Sequence, residues 1–149
     1  MKEIVWQEFN KSDRLVTKRK SFKSGEAMEK FIEKLHEKEH RYPNIEVDIC
    51  LRAGGVMDVT HDLDTTFHLG IEPYMKYLGE HPERHMWMDV KNLSEDNLLA
   101  FKLRLDSLLM DYGVSKSQLI IESPQWQRLF LLTRDGYFTS CYAVSYTHL

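Results

Sequence analysis

Hydrophobic and polar positions alternate strictly in a stretch that begins at Ile45, and this alternation predicts a strand. Successive side chains of a strand point to opposite faces. Ile45, Val47 and Ile49 would therefore cover one face, and Glu46 and Asp48 would share the other. The pattern places two carboxylates on one surface of a sheet.

A glycine pair follows this strand and predicts a hairpin. Gly54-Gly55 permits a tight reversal of the chain. The short run over residues 56–60 would then return alongside the strand and bring His61-Asp62 towards the two carboxylates. The sequence thus predicts that an acid pair and an imidazole converge.

Helical and strand-like spacing alternate along the rest of the chain. Apolar residues recur at intervals of three and four after Ser24, and again after Ser94, as on the buried face of an amphipathic helix. A second alternating stretch sets Trp87, Asp89 and Lys91 on one strand face. The predicted strands cover residues 14–18, 45–49, 85–90, 119–122 and 137–144, and further helices cover residues 71–78, 94–113 and 124–132.

Strands that alternate with helices of this length predict parallel strands joined by crossovers. We therefore expect an α/β fold with about five parallel strands, crossover helices and a β-hairpin after the second strand. The sequence of 149 residues contains no internal repeat, low-complexity segment or linker, which indicates a single domain.

Composition and charge narrow the classes of function. A hydrophobic fraction of 42% and a charged fraction of 29% are typical of a globular domain. The net charge of −3 argues against nucleic-acid binding, because the one basic cluster is short. Two cysteines give neither a disulfide framework nor a zinc-binding spacing. No signal peptide or membrane span is evident, so the default location is cytoplasmic, and membrane association is left open.

Acidic residues end three of the predicted strands. Glu46 and Asp48 lie on the first, Asp89 on the second and Glu122 on the third. In a parallel barrel the carboxyl ends of the strands meet at one rim. Oxygen ligands of this kind suit a hard divalent cation such as Mg²⁺ or Ca²⁺ rather than zinc.

Two further residues indicate phosphate-ester chemistry. Lys91 shares the strand face of Asp89, and an ammonium beside a cation can hold an anionic phosphoryl group from a second side. His61 is the natural proton carrier, because an imidazole can both donate and accept a proton. A simpler interpretation treats the acids as solvated strand edges that bind no cation.

The block that runs from Glu46 and Asp48 through the glycine hairpin to His61 resembles the signature of the glycerophosphodiester phosphodiesterase-like superfamily. Residues 87–92 resemble the barrel strand that follows that block. The resemblance covers about residues 14–142. It implies a partial (β/α)8 TIM barrel and the activity of a metal-dependent phosphodiester hydrolase.

The resemblance also implies a role for each matching residue. Glu46, Asp48 and Asp89 would bind the divalent cation, Mg²⁺ or Ca²⁺. His61 would be one of two catalytic histidines that act as general acid and base, and Lys91 would contact phosphate. The implied substrate is a small phosphodiester or a lysophospholipid-like molecule.

One position departs from the family pattern. The relatives carry a histidine followed by an arginine at the end of the first strand, and the matching place here holds Lys18-Arg19. Arg19 would still contact phosphate, whereas Lys18 could act as a base only with a lowered pKa. His40-Arg41 has the missing dipeptide but lies at a helix end before Pro43. The alternative is therefore a non-catalytic relative that binds phosphate and a cation without turnover.

A complete eight-stranded barrel takes about 250 residues, so we expect this chain to be part of a longer protein. Residues 143–149 resemble translated adaptor sequence and would not be native, which leaves a partial barrel domain over residues 1–142. We expect the longer parent to be the active hydrolase and this chain to be inactive by itself. An open barrel edge also predicts self-association.

Overall fold

Five parallel strands form the sheet on which the fold is built. The computed structural model describes residues 14–16, 24–39 and 44–141. The strands are β1 Arg14–Val16, β2 Asn44–Leu51, β3 Met57–Val59, β4 Met86–Val90, β5 Leu119–Glu122 and β6 Phe138–Ser140. Their order is β1-β2-β4-β5-β6 with parallel neighbours, and β3 lies antiparallel to β2. The predicted α/β architecture is confirmed.

Helices connect the parallel strands. They are α1 Gly25–Glu39, α2 Glu72–Glu80, α3 Glu95–Tyr112 and α4 Trp126–Arg134. The longest, α3, has defined ends, because the Ser94 side chain accepts a hydrogen bond from the Asn97 N–H and Gly113 closes the helix at φ 68°. None of the helices in the described parts of the chain combines the length and apolar character needed to cross a lipid bilayer.

The helices cover one face of the sheet and form the main core with it. Ile45, Val47 and Ile49 of β2 are buried in this core, together with Met86 and Met88 of β4. These are the apolar halves of the two alternating stretches, and burial of apolar surface is the main stabilising contribution to folding. The alternation therefore fixes which side chains of β2 and β4 face away from the helices.

The opposite surface of the sheet is here called the inner face. Residues on this face include Glu46, Asp48, Cys50, Trp87, Asp89, Ile120, Glu122, Phe138 and Ser140. Trp87 and Ile120 pack together on it, and Phe138 is partly buried against them. This small apolar cluster is separate from the main core. Trp87 and Ile120 each lie two residues before the acid that ends their strand.

The glycine hairpin after β2 is also confirmed. Ala53–Gly55 forms a short 3-10 turn in which Gly54 and Gly55 have φ values of 74° and 77°, a region that glycine enters without steric cost. The Arg52 N–H donates to the Val56 carbonyl oxygen at 2.9 Å. β3 then pairs with the end of β2, with Ile49 opposite Val59.

The structure supports the predicted helices and strands wherever it describes them, and their ends shift by a few residues. The predicted strand over residues 14–18 is observed at Arg14–Val16, and the one over residues 137–144 at Phe138–Ser140. Lys18, Arg19 and His40-Arg41 lie outside the described residues. So does the tail over residues 143–149.

Candidate active site

Three adjacent strands bring their terminal acids into one row on the inner face. Asp48 of β2 pairs in register with Asp89 of β4, and Asp89 pairs with Glu122 of β5. Glu46 lies two residues earlier on β2, opposite Trp87. Because the strands are parallel and in register, side chains of the same parity point to the same surface. Glu46, Asp48 and Asp89 are each 2–3% exposed, so they are buried rather than solvated strand edges.

Three of these acids form a compact cluster. Glu46, Asp89 and Glu122 each offer a carboxylate oxygen, and these oxygens all lie within 4.8 Å of one another. Opposite oxygen ligands lie about 4.2 Å apart around Mg²⁺ and about 4.8 Å apart around Ca²⁺, from the usual metal–oxygen distances. The compact grouping and the all-oxygen donor set fit a hard divalent cation.

Lys91 lies between Asp48 and Asp89. Its Nζ is 2.9 Å from Asp48 Oδ1 and 2.7 Å from Asp89 Oδ2. Burial disfavours the charged ammonium, but the hydrogen bonds to Asp89 and Asp48 outweigh it, and the pKa of Lys91 is raised above its ordinary value. Lys91 is therefore a fixed positive charge on the inner face, where it can bind an anion together with a cation.

Trp87 contacts Glu122, the acid that β5 contributes to the cluster. Its indole Nε1 donates a hydrogen bond to Glu122 Oε2. The tryptophan is 5% exposed and packs on Ile120, so its ring is held by its neighbours. The bond ties the orientation of the Glu122 carboxylate to the apolar cluster of the inner face.

Asn92 extends the pairing of β2 and β4 beyond the ends of the two strands. Its side chain accepts a hydrogen bond from the Leu51 N–H at 2.7 Å and donates one to the Leu51 carbonyl oxygen at 2.9 Å. The Lys91 N–H donates to the Ile49 carbonyl oxygen at 2.9 Å. The backbone that carries Lys91 is thus held by β2 on both sides of the side chain.

His61 follows β3, the strand that returns alongside β2. Its imidazole is exposed, and Nδ1 is 2.7 Å from Asp62 Oδ1. Cys50, which follows Asp48 on the inner face, has its Sγ 3.5 Å from the Thr60 carbonyl oxygen and 4.0 Å from that of His61. The hairpin therefore returns the backbone of His61 to the strand that carries the acids, and the imidazole pairs with Asp62.

Arg52 fixes the loop that follows His61. Its Nε is 3.1 Å from Asp58 Oδ2, and its guanidinium donates to the carbonyl oxygens of Leu63 and Thr65. One side chain thus joins β3 to the loop on the far side of His61. The planar guanidinium suits this use, because it presents several donors in a fixed geometry.

The structure groups the predicted site residues in two sets. Glu46, Asp48, Asp89 and Lys91 lie together on the inner face, and the hairpin returns the backbone of His61 to β2. Lys18 and Arg19 stay predictions, because they lie outside the described residues.

Sequence reasoning missed two contributors to the site. It placed Glu122 among the acids that end the strands, but it assigned no role to the Trp87 indole or the Asn92 amide. Parity places Trp87 on the same strand face as Asp89, but its contact with Glu122 also depends on the register between β4 and β5.

Comparison with known proteins identifies the fold. No family model matches the sequence, and no curated protein matches it. A solved structure from Silicibacter pomeroyi DSS-3, assigned as a glycerophosphoryl diester phosphodiesterase, is similar with a TM-score of 0.62 and 12% identity, over 89% of this chain and 65% of that one. A glycerophosphodiester phosphodiesterase from Parabacteroides distasonis ATCC 8503 is similar with a TM-score of 0.59 and 16% identity, over 89% of this chain and 66% of that one.

These similarities confirm the predicted partial barrel. The chain spans slightly less than two thirds of the length of the two solved structures that it matches. At this level of identity the likeness concerns the fold, and the chemistry has to be argued from the residues of the site.

Proposed function

We propose that this chain forms part of a metal-dependent phosphodiester hydrolase of the glycerophosphodiester phosphodiesterase type. The observation that carries the proposal is the convergence of buried carboxylates and Lys91 at the carboxyl ends of adjacent parallel strands. Barrel enzymes place their active sites at these ends. The resemblance of the sequence block to that superfamily and the likeness of the fold to two such proteins support the same interpretation.

The inner-face acids would hold a divalent cation, Mg²⁺ or Ca²⁺, with Glu46 and Asp89 among its ligands. When bound, such a cation stabilises the negative charge that develops on a phosphoryl group during displacement. Lys91 would contact the same phosphoryl group and hold it against the sheet. Its position between Asp48 and Asp89 keeps the ammonium at the acid cluster before substrate arrives.

His61 would transfer the proton at the leaving or attacking oxygen. Its imidazole is exposed, so a substrate could reach it. The Asp62 carboxylate at Nδ1 orients the ring and leaves Nε2 for the reaction. Arg19 would contact phosphate, and Lys18 would act as a base if its pKa were lowered. The proposed substrate is a small phosphodiester or a lysophospholipid-like molecule.

The test is hydrolysis of glycerophosphodiesters and lysophospholipids by this chain and by a longer reading frame that contains it, with and without Mg²⁺ or Ca²⁺. We expect turnover by the longer protein that requires a divalent cation. The double variant Glu46→Gln, Asp48→Asn should lower this turnover by at least about 100-fold, because both changes act on the charge of the site. Unchanged turnover in the double variant would contradict the mechanism.

A second candidate is a non-catalytic module that binds a cation and a phosphorylated ligand. It is motivated by Lys18, which stands where the superfamily pattern has a histidine. The variant Lys18→His in the longer protein separates the two candidates. A large gain of turnover favours a relative that has lost activity, whereas a loss shows that Lys18 already takes part in the reaction.

A further inference from the structure

We infer that Arg52 is the positioning residue for His61, because it holds the loop that carries the imidazole at a fixed place relative to the acids of β2. This inference rests on the proposed function, in which His61 transfers a proton. It extends that function by one residue outside the set that the sequence resemblance implied.

The first argument is the place of Arg52 directly after β2. Its backbone is extended, with φ −114° and ψ 168°, so the alternation of the strand continues through it. Asp48, Cys50 and Arg52 therefore lie on the same face. Cys50 meets the carbonyl oxygens of Thr60 and His61 on that face, at 3.5 and 4.0 Å from its Sγ. One stretch of chain thus carries an acid of the site and, four residues later, an arginine beside the loop of His61.

The second argument is the turn that follows His61. The Thr65 N–H donates to the Asp62 carbonyl oxygen at 3.3 Å, which closes the turn. The Arg52 guanidinium donates to the Leu63 carbonyl oxygen and, at 2.7 Å, to that of Thr65. The Asp62 carboxylate is also the partner of the His61 imidazole, at 2.7 Å from Nδ1. Arg52 therefore holds the turn that contains the residue orienting the imidazole.

The third argument is that Arg52 is itself held in place. Its Nε lies 3.1 Å from Asp58 Oδ2, and the Asp58 side chain is 5% exposed. The Val59 N–H donates to the Leu69 carbonyl oxygen at 2.9 Å. The loop over residues 60–68 is thus closed at its base by the backbone and across its middle by one side chain.

A guanidinium suits this use better than an ammonium, because its planar donors can bind two carbonyl oxygens and a carboxylate at once. The position of a proton-transferring group matters, since a misplacement of about 1 Å can lower a rate about 100-fold. The simpler interpretation is that Arg52 only neutralises the buried Asp58. The two interpretations differ in the effect of losing Arg52 when Asp58 is neutral or when His61 is absent.

The double variant Arg52→Met, Asp58→Asn removes both members of the buried pair, so it leaves no unpaired carboxylate. In the 149-residue chain it should speed hydrogen exchange of the Thr65 amide by at least about tenfold, because the turn opens more often. The Val114 amide, bonded to the Leu109 carbonyl oxygen at 2.9 Å, is the reference and should keep its rate. Circular dichroism verifies that the variant is folded.

Arg128→Met is the matched control for the loss of an arginine. It breaks the ion pair with Glu95 that joins α4 to α3, at 3.3 Å. Neither the exchange of the Thr65 amide nor turnover by the longer protein should change.

The longer protein tests whether Arg52 acts through His61. The double variant should lower kcat about 100-fold, towards the level of His61→Ala, and leave KM within about threefold. Added to His61→Ala, the same two substitutions should lower kcat by less than about twofold further, because residues that act as one unit are not additive. Arg52→Lys keeps a charge beside Asp58 without the planar donors and should still lower kcat at least about tenfold.

The possible failures are distinguishable. If the Thr65 amide of the double variant exchanges at the unmodified rate, Arg52 does not hold the loop, and this inference alone is overturned. If the double variant lowers kcat equally with and without His61, or if Arg52→Lys keeps full turnover, Arg52 does not position His61 and the proposed function stands. Absence of turnover in the unmodified longer protein with either cation overturns the proposed function and this inference together.

Discussion

Lys91 is the residue on which the electrostatics of the inner face depend. It contacts both Asp48 and Asp89, and these two carboxylates are almost fully buried. A buried carboxylate is costly without a partner of opposite charge. The pKa of Lys91 is raised, so the ammonium stays charged across the neutral range.

Replacing Lys91 with methionine should destabilise the fold by about 2–4 kcal/mol, because it leaves buried carboxylates without their ammonium. The stabilisation by Lys91 should be fully present below pH 10.5, its ordinary pKa, and disappear as the pH rises through the higher folded value. Urea unfolding of both proteins across this pH range measures the difference. Lys76→Met, at an exposed pair with Glu80, is the control and should cost less than about 1 kcal/mol.

Asp106 gives the opposite pH dependence at a second site. Burial opposes its ionisation, but Lys102 Nζ at 2.8 Å and the Tyr137 hydroxyl outweigh burial, so the pKa of Asp106 lies below its ordinary value of 3.8. Its stabilising contribution should be present above pH 3.8 and be lost as the pH falls through the lower folded value.

The variant Asp106→Asn tests this pH dependence. The stability difference from the unmodified chain should shrink as the pH is lowered below 3.8, as measured by denaturant unfolding. Asp111→Asn, at an exposed position on the same helix, is the matched control. If the stability difference between Asp106→Asn and the unmodified chain stays constant through the acid range, the lowered pKa does not belong to Asp106.

At the scale of elements, the close contact between α2 and α3 depends on a glycine. A Cβ placed on Gly79 would lie 2.0 Å from the Tyr112 carbonyl oxygen. That oxygen belongs to the backbone, so the overlap cannot be relieved by a side-chain rotation. The two helices pack at this distance because position 79 has no side chain.

Gly79→Ala should therefore lower stability by about 1–3 kcal/mol, although alanine is the better helix former. The expected effect is a lower melting temperature, since α2 and α3 must move apart to make room. Glu80→Ala, at the neighbouring position, is the control. Equal melting temperatures for Gly79→Ala and the unmodified chain would show that the helices separate without cost.

The elements also show which parts of the site the sequence could reveal. Glu46, Asp48, Asp89 and Lys91 could be placed on one face because side-chain alternation is a local property of each strand. The bond between Trp87 and Glu122 could not, because it depends on the register between β4 and β5. That register is set by packing between residues that are distant in the sequence, and parity alone does not determine it.

At the scale of the whole molecule, the described sheet ends in two outer strands. β1 pairs with β2, and β6 pairs with β5. A strand with an unpaired side can pair with a strand of another chain. Self-association of the isolated chain stays a prediction, and a substitution on β6 can test it.

We expect the isolated chain to sediment with a concentration-dependent coefficient. Ser140→Lys, on β6, should reduce the association, because a charged residue disfavours pairing of strand edges. Phe130→Lys, on the exposed surface of α4, is the control for association through an apolar helix surface. It should leave the sedimentation coefficient unchanged. A monodisperse monomer at every concentration would contradict the prediction.

The two cysteines of the chain provide a way to time the opening of the hairpin. The Cys50 thiol is fully buried against the Thr60 carbonyl, and burial raises its pKa, whereas Cys141 is exposed. Because thiol reagents attack the thiolate, Cys141 should react at once and Cys50 only during moments when the hairpin lifts away from β2. The lag between the two labelling steps then measures how often the segment that carries His61 leaves the sheet.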